Sequence, residues 1–521
     1  MGGSLPDIEG LTLSDLKELV LRLVEDVAVL KAENTALREE IARLKGLKGP
    51  PNLRPSGMET ASGPVRKGGK KGRRGAKRLA IDAVQVIAAV VPPGSRFKGY
   101  EDYVVQELVV HPRTTRFRRE RWLTPDGRSV VAGLPAGIVG HFGPALRRYV
   151  LALYHRGQTT MPRLVAHLND LGIDISKRQV VRLLNAGKNG FLSEAAAVLR
   201  AGLETAAWIT VDDTGARHRG VAGSCTQIGN DHFAWFTTTR SNSRLNFLSL
   251  LRAGHTDYVI NAEALAYMRT RRLAGPVIDM LAGDAATHFA DEAAWRAHLQ
   301  RFDFSALKVD PVTIATEGAL WGAIVDRGHL AATVIVSDGA GQFKVGLHAL
   351  CWVHAERSIH KLVGFNDRQR QAIARIRERV WRLYADLKDY CRDPTPAGRR
   401  TLSKRFDRVF ATRTGYATPD RLLGRLRANK RDLLRVLERP DIPLHTNGSE
   451  NDIRCQVTRR KISGGTRSQA GRDCRDAFLS LMKTCDKLDV SFWDYLADRL
   501  EIPQAKNIPP LPEIIQARAA T

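Results

Sequence analysis

Cysteine is scarce along these 521 residues: Cys225, Cys351, Cys391, Cys455, Cys474 and Cys485 are the whole set, widely scattered. With no Cys-x2-Cys pair anywhere, neither a disulfide framework nor a zinc-finger ligand set is expected, and the thiols read as reduced, in a cytosolic protein. No apolar run approaches the length of a membrane span. The N-terminus also lacks the basic start and short apolar stretch of a signal peptide, so the protein is expected to stay inside the cell. Acid is the third shortage: 55 Asp and Glu face 81 Lys and Arg, a formal net charge of +26. An excess that large, spread along the whole chain, makes a polyanion the expected partner and nucleic acid the default one. The length fits roughly two to four domains.

Residues 1–46 carry the strongest periodicity. Leu16, Leu23, Leu30, Leu37 and Leu44 recur every seven residues, with Leu13, Val20, Val27, Asn34 and Ile41 at the companion positions. β-branched residues interrupted by a single asparagine favour a parallel two-stranded coiled coil in fixed register. Acidic Asp26, Glu33 and Glu40 face basic Lys31, Arg38 and Lys45 across such a dimer, so a homodimer or higher oligomer is expected. Residues 47–79 follow as a Gly-, Pro- and Ser-rich linker. It contains Arg66, Lys67, Lys70, Lys71, Arg73 and Arg74, and between Arg66 and Arg78 there are eight positive charges and no acid. Such a segment cannot bury enough apolar surface to fold alone, and reads as an arm that pairs with phosphates without reading sequence.

Residues 80–140 read as a small β-rich region, with strand-like runs at Val84–Val91, Tyr103–Val110 and Thr114–Trp122. From 141 to 205 the pattern is helical. Within it, Leu164, Val165, Leu168 and Leu171 mark a first helix, Gly172 its end and Ser176 the cap of a second. That second helix directs Lys177, Arg178 and Arg182 outward and Val180, Val181 and Leu184 inward, as a DNA-binding helix-turn-helix would.

Residues 206–490 change period again. Trp208–Val211 is a short apolar strand ending in Asp212-Asp213-Thr214-Gly215, followed by a neighbouring strand over Cys225–Thr239 and a helix over Leu245–Leu251. A second apolar strand, Thr333–Val336, ends in Ser337-Asp338-Gly339 and leads to a helix near His348–Leu362. Either aspartate alone is explained by turn chemistry. Together with a later helix presenting Glu450, they fit a multidomain α/β plus α protein with a ribonuclease H-like α/β catalytic core. Three carboxylates there can hold two Mg2+ or Mn2+ ions roughly 3.5 to 4 Å apart, one activating the nucleophile and one stabilising the leaving oxygen. Long insertions, about 253–330 and 366–440, separate the acids, and 491–521 reads as a C-terminal tail. Asp279 and Asp284 compete weakly for the second acid. Cys351 and His354 form a Cys-x2-His pair with no second half, which suits a supporting role beside the site better than metal ligation.

Glu450, Arg454 and Lys461 fall within about 40° of one another around a helix. An acid among bases on one stripe suits a cation held beside a phosphate. The competing explanation is a capping box, in which Asn447 caps the helix and Glu450 only reaches back to its amide.

Asp212-Asp213-Thr214-Gly215, Ser337-Asp338-Gly339, Cys351-Trp352-Val353-His354-Ala355-Glu356-Arg357 and Asn447–Lys461, in that order, resemble the blocks of the insertion-sequence-sixty-six transposases of TnpC type. The third block of that family has the form Glu-x3-Arg-x5-Arg-Lys, here Glu450, Arg454, Arg460 and Lys461. The resemblance implies a DDE transposase of prokaryotic, nucleoid-associated location, with Asp212, Asp338 and Glu450 as metal-binding catalytic acids. It implies DNA ends and target DNA as partners, contacted by Arg454, Arg460 and Lys461, and leaves any helper proteins open. Two departures stand out. Family members commonly carry a cysteine-rich zinc segment, but residues 80–205 contain no cysteine, so no zinc is expected there. The first block reads Asp-Asp where Asp-Glu is more usual, which makes Asp213 a rival to Asp212. Neighbouring strand residues point to opposite faces, and the choice falls on Asp212, with Asp213 and His354 supporting it. A non-catalytic DNA-binding regulator, or a nuclease that cuts without joining, are the alternative functions.

Overall fold

The computed structural model describes residues 81–302 and 310–520, apart from 136, 139 and 331. The expected coiled coil over 1–46 and the basic linker over 47–79 lie outside the described residues. Of the three strand-like runs before residue 125, only the last reaches a strand: β1 (Arg121–Leu123) pairs antiparallel with β2 (Ser129–Val131). Val84, Ile87, Tyr103 and Leu108 are all more than four-fifths exposed. β propensity alone does not make a strand: β1 and β2 pair although both are exposed, and the two earlier runs find no partner strand.

The helical region comprises α1 (Pro144–His155), α2 (Met161–Asp170), α3 (Lys177–Asn185) and α4 (Asn189–Thr205). Gly172 ends the α2 turn with a positive φ of 80°. Ser176 caps α3 in a reciprocal box with Gln179, satisfying two amides that a helix start leaves unpaired. Lys177, Arg178 and Arg182 point outward as expected. Val181 is exposed and Leu183 is buried beside Val180 and Leu184, a correction of one position to the expected inner face.

A five-stranded mixed sheet follows, in the order β5-β4-β3-β8-β9. β3 (Trp208–His218), β4 (Val221–Gly229) and β5 (Ala234–Thr239) form an antiparallel meander. The single strand read over Cys225–Thr239 is therefore two strands joined by a turn. α5 (Arg244–Leu251) begins the first insertion, which continues through β6 (Tyr258–Val259), α6 (Ala262–Thr270), α7 (Gly275–Gly283), β7 (His288–Phe289), α8 (Glu292–Leu299) and α9 (Pro311–Asp326). β8 (Val334–Ser337) and β9 (Leu347–Leu350) then add in parallel to β3, with a 3-10 turn at Gly341–Phe343 between them. The helix expected near His348 starts only at Trp352, because β9 occupies Leu347–Leu350.

α10 (Trp352–His360) leads into the second insertion, α11 (Asp367–Arg392), α12 (Pro396–Phe410), α13 (Ala417–Ala428) and α14 (Lys430–Leu433). The insertion packs around Trp352, which meets Phe406 edge to face at 6.2 Å. α15 (Asn447–Ser463) returns to the sheet, and α16 (Gln469–Lys487) lies along β5.

α16 closes that sheet edge in an unusual way. Asp476, Ser480 and Thr484 accept hydrogen bonds from the outward amides of Thr238, Phe236 and Ala234 at 2.7, 2.9 and 3.2 Å. Four helical residues rise about 6 Å and two strand residues about 6.8 Å, so side chains at i, i+4 and i+8 keep pace with every second strand amide. The opposite edge is covered too, since Arg435 donates to the His348 carbonyl at 3.2 Å.

Residues 491–520, expected to be a tail, instead fold as α17 (Phe492–Arg499), which packs on α1, and α18 (Leu511–Ala519), which packs on α4. Glu194 on α4 accepts from Tyr495, Arg499 and the Leu511 amide. Phe492, Tyr495, Leu511 and Ile515 are buried in the same apolar core as α1 to α4 and the sheet. Among the described residues, no helix is long and apolar enough to cross a membrane.

Candidate active site

The parallel pairing of β3 with β8 covers only Trp208–Thr210 against Val334–Val336. Asp212 lies two residues beyond Thr210, and Asp338 two residues beyond its partner Val336. The two aspartates thus occupy matching positions on neighbouring strands, just past the last paired residues, where strands lie about 4.8 Å apart. β3 itself does not end at Asp212. It continues to His218 paired with β4, which holds the Asp212 backbone in extended form, and its far end also bridges in parallel to Thr466.

Alternation decides which aspartate faces the helix. Thr210 accepts from Ser449 of α15, and Thr214 accepts from Arg460 of α15 at 3.5 Å. Asp212 shares their parity and so shares their face. Asp213 points the other way, toward the 3-10 turn, where Gln342 donates to its carboxylate at 2.9 Å. Asp338 is exposed, and its Oδ1 accepts from the Ala340 amide at 2.9 Å, so the turn chemistry expected of an Asp-Gly pair is present as well. Gly339 has a φ of 96°, a conformation that favours glycine, and a Cβ there would sit 2.9 Å from Leu350.

A buried chain of hydrogen bonds steadies this turn. Ser337 Oγ meets His348 Nε2 at 2.8 Å, and His348 Nδ1 meets Asp432 Oδ2 at 3.2 Å. Lys344 adds an ion pair to Asp432 at 3.1 Å. Burial raises Asp432, but His348 and Lys344 bring its carboxyl below the usual value. Ser337 is wholly buried, so this Ser-His-Asp row fixes backbone and offers no accessible nucleophile.

Glu450 stands in the first turn of α15. The capping box does not form: Thr446 is the cap residue, with no side-chain cap bond. Both Glu450 oxygens instead accept from Arg357 of α10, at 2.7 and 3.1 Å, a bidentate clamp. His354, one turn earlier on α10, places Nε2 at 3.6 Å from Glu450 Oε1. Burial lowers the His354 imidazole, but Cys351, Glu450 and Asp338 together raise it above its ordinary value. Burial, Asp338 and Glu450 push Asp212 up to about 7, against the lowering effects of the Asp213 amide and His354. Arg357 is the site residue that sequence reasoning left without a role. Its signal was the position one turn after His354 in the same block.

Further along α15, Arg454 binds Asn451 at 3.0 Å, Arg460 donates to the Gly215 carbonyl, and Lys461 is exposed. Gly464, with a φ of 67°, ends the helix. The rival acids fall elsewhere. Asp279 is exposed within α7, and Asp284 follows that helix in an ion pair with Arg301 at 3.2 Å.

Among the described residues no three His, Cys, Asp or Glu side chains converge on one point, and Glu450 is paired with Arg357. The donor chemistry nevertheless fits a hard divalent cation: the groups are all oxygen ligands, and burial together with Asp338 and Glu450 raises Asp212 to about 7, a penalty on its charge that a bound cation would relieve.

The fold and this cluster define a mixed α/β protein with acids on adjacent strands faced by a glutamate on a helix. Residues 323–473 belong to a domain of the IS66 family of transposases. The sequence profile described as "Transposase IS66 family" matches residues 323–473, which include Asp338, His354, Arg357 and Glu450. The chain is also 49% identical over 322 residues to "Uncharacterized protein y4jO" of Sinorhizobium fredii (strain NBRC 101917 / NGR234), covering 62% of this chain and 100% of that protein.

Proposed function

We propose that this chain is a DNA transposase whose ribonuclease H-like core hydrolyses phosphodiesters at the ends of a mobile element and joins the freed 3′-OH to target DNA. The observation that carries the reading is the register of β3 and β8, which brings Asp212 and Asp338 level on the face that α15 covers with Glu450. The sheet order, three antiparallel strands followed by two parallel ones, supports the fold assignment. Asp212, Asp338 and Glu450 are the residues that hold the Mg2+ or Mn2+ ions. Such ions, when bound, supply Lewis acidity at the phosphate and lower the pKa of water.

The chain's own groups do the rest. Arg357 neutralises Glu450 in the metal-free protein and keeps three acids from facing one another uncompensated. With a cation held by Glu450, Arg357 would be free of that carboxylate and could pair with a phosphate oxygen. His354, raised above its ordinary value, stands beside Glu450, with Nε2 3.6 Å from Oε1. Arg454, Arg460 and Lys461 follow the strand along α15, while Lys177, Arg178 and Arg182 on α3 contact the element ends. Arg66, Lys67, Lys70, Lys71, Arg73 and Arg74 add phosphate contacts, and the Leu16–Leu44 heptads with Asn34 pair two copies.

The test is Glu450→Gln assayed on DNA carrying the element ends, with Mg2+. Cleavage should fall at least a thousandfold, roughly the scale of removing a central electrostatic group, while end binding stays within twofold of wild type. Equal cleavage by both proteins, or none by wild type on ends it binds, would sink the catalytic reading.

A further inference from the structure

The second insertion contains a cleft of ≈ 300 Å³ between α11 and the segment joining α12 to α13. One wall is a single stripe of α11, Arg368, Ala372, Arg375, Ile376 and Arg379; offsets of four, seven, eight and eleven keep them on one side of a helix. The other wall is Thr412, Arg413, Thr414 and Tyr416. Four guanidinium groups therefore line one concave surface that contains no acid.

The remaining arginines of α11 are otherwise employed. Arg370 pairs with Asp367 at 2.6 Å, Arg377 with Glu356 at 2.7 Å, Arg382 with Glu378, and Arg392 with Asp389 at 2.8 Å. Among the described residues, no acidic side chain forms an ion pair with Arg368, Arg375, Arg379 or Arg413. Asp420, beside the second wall, is taken by the Thr414 amide and hydroxyl, both at 2.8 Å, and Arg413 is the smallest of the effects that lower it. Arg379 donates to Thr412 at 3.3 Å, which ties the two walls together. The cleft is thus held open by bonds that leave its positive charges facing solvent.

Its attachment matters as much as its charge. Glu356 of α10 is buried and accepts from Arg377 and from Trp381 Nε1 at 3.2 Å. The same short helix carries His354 and Arg357 on its other side. A ligand seated against α11 is therefore connected through α10 to the acidic site.

We propose that this cleft binds the phosphodiester backbone of duplex DNA, as a second anchoring site in addition to the basic stripe of α15. Guanidinium forks match phosphate oxygens two at a time, and a surface of unpaired arginines without base-reading neighbours suits contact that is independent of sequence. The proposal rests on the nucleic-acid reading given above, but not on catalysis.

The experiment is binding of a random-sequence duplex, without divalent metal, across a salt series, for the full-length wild type and for Arg368→Gln/Arg375→Gln/Arg379→Gln. Each phosphate contact contributes about 0.9 to the slope of log K against log salt. The triple variant should lose about 2 to 3 from that slope and bind at least tenfold more weakly at moderate salt. The corresponding triple lysine variant should recover most of both, which a merely structural defect would not allow. All three arginines are exposed, and matching melting curves for the variants establish that each is folded. An unchanged slope overturns the proposal. So does a cleft that takes only a small free anion: thermal stabilisation of wild type by inorganic phosphate, lost in the variant, with duplex binding unaltered. Failure of Glu450→Gln to affect cleavage would leave this result standing, so the two readings fail separately.

Discussion

Lys188 shows how narrow the margins are at a single residue. It is 2% exposed, and its ammonium donates to the Ala186 carbonyl at 2.9 Å. Burial, then Arg147, lower its pKa from 10.5 to about 8. The unfolded chain therefore binds more protons between pH 8 and 10.5, so this residue penalises the fold fully below pH 8 and ceases to do so as pH rises through that window. Lys188→Met should stabilise the protein at pH 7 by about 2 to 3 kcal/mol, with the gain shrinking toward pH 10; a gain that grows with pH would refute the assignment. At the acidic site the same scale explains why Glu450 was only half legible. Its place on a stripe with Arg454 and Lys461 could be read from spacing, and a capping box competed with it on equal terms. The partner that decides between them, Arg357, lies ninety-three residues away in sequence and was brought in by packing. The Ser337-His348-Asp432 row was invisible for the same reason.

At the scale of elements, local chemistry was readable wherever it was self-contained. Ser176 and Gln179 announce the start of α3, and Gly172 the end of α2, because caps and turns are satisfied within a few residues. Strands were less legible. β9 was hidden inside an expected helix, since a run of four residues, three of them apolar, carries no period that separates the two. Val84–Val110 shows strong strand composition yet forms none, because pairing needs a partner that composition does not supply. The contact between α16 and β5 is the most testable of these elements. Asp476→Ala would leave the buried Thr238 amide without an acceptor, and Thr484→Val would do so at Ala234. Each should cost about 1 to 3 kcal/mol, with faster amide exchange at Thr238 or Ala234 respectively; exchange unchanged at those amides would show that the helix merely lies nearby.

For the whole molecule, a helical stretch followed by strands was legible in the sequence, but the packing between them was not. The helical region is joined to the sheet: His155 of α1 stacks on Phe478 of α16 at 4.3 Å, and Arg459 of α15 lies 3.8 Å over Tyr154. The helix that bears Glu450 is therefore seated directly on α1. The supposed tail closes the same core, through Glu194 and its three donors. A chain ending after Val490 loses α17 and α18, uncovers Phe191 and leaves Glu194 buried without Arg499. It should melt at least 10 °C lower or precipitate, on the scale of about 4 kcal/mol or more for such a loss; a truncated protein melting with the full chain would restore the reading of a dispensable tail.

The row of Asp476, Ser480 and Thr484 beside β5 has a consequence beyond stability. An exposed edge strand is a template on which another chain can add, either usefully, by strand addition, or harmfully, by aggregation. Here the amides of Thr238, Phe236 and Ala234 are already spent on a helix, and Arg435 occupies the His348 carbonyl at the far side. The sheet is finite, and two copies cannot fuse their sheets into one. Association of this five-stranded sheet with another chain has to work through helices and side chains, and the sheet is spared the commonest route to fibrous self-association.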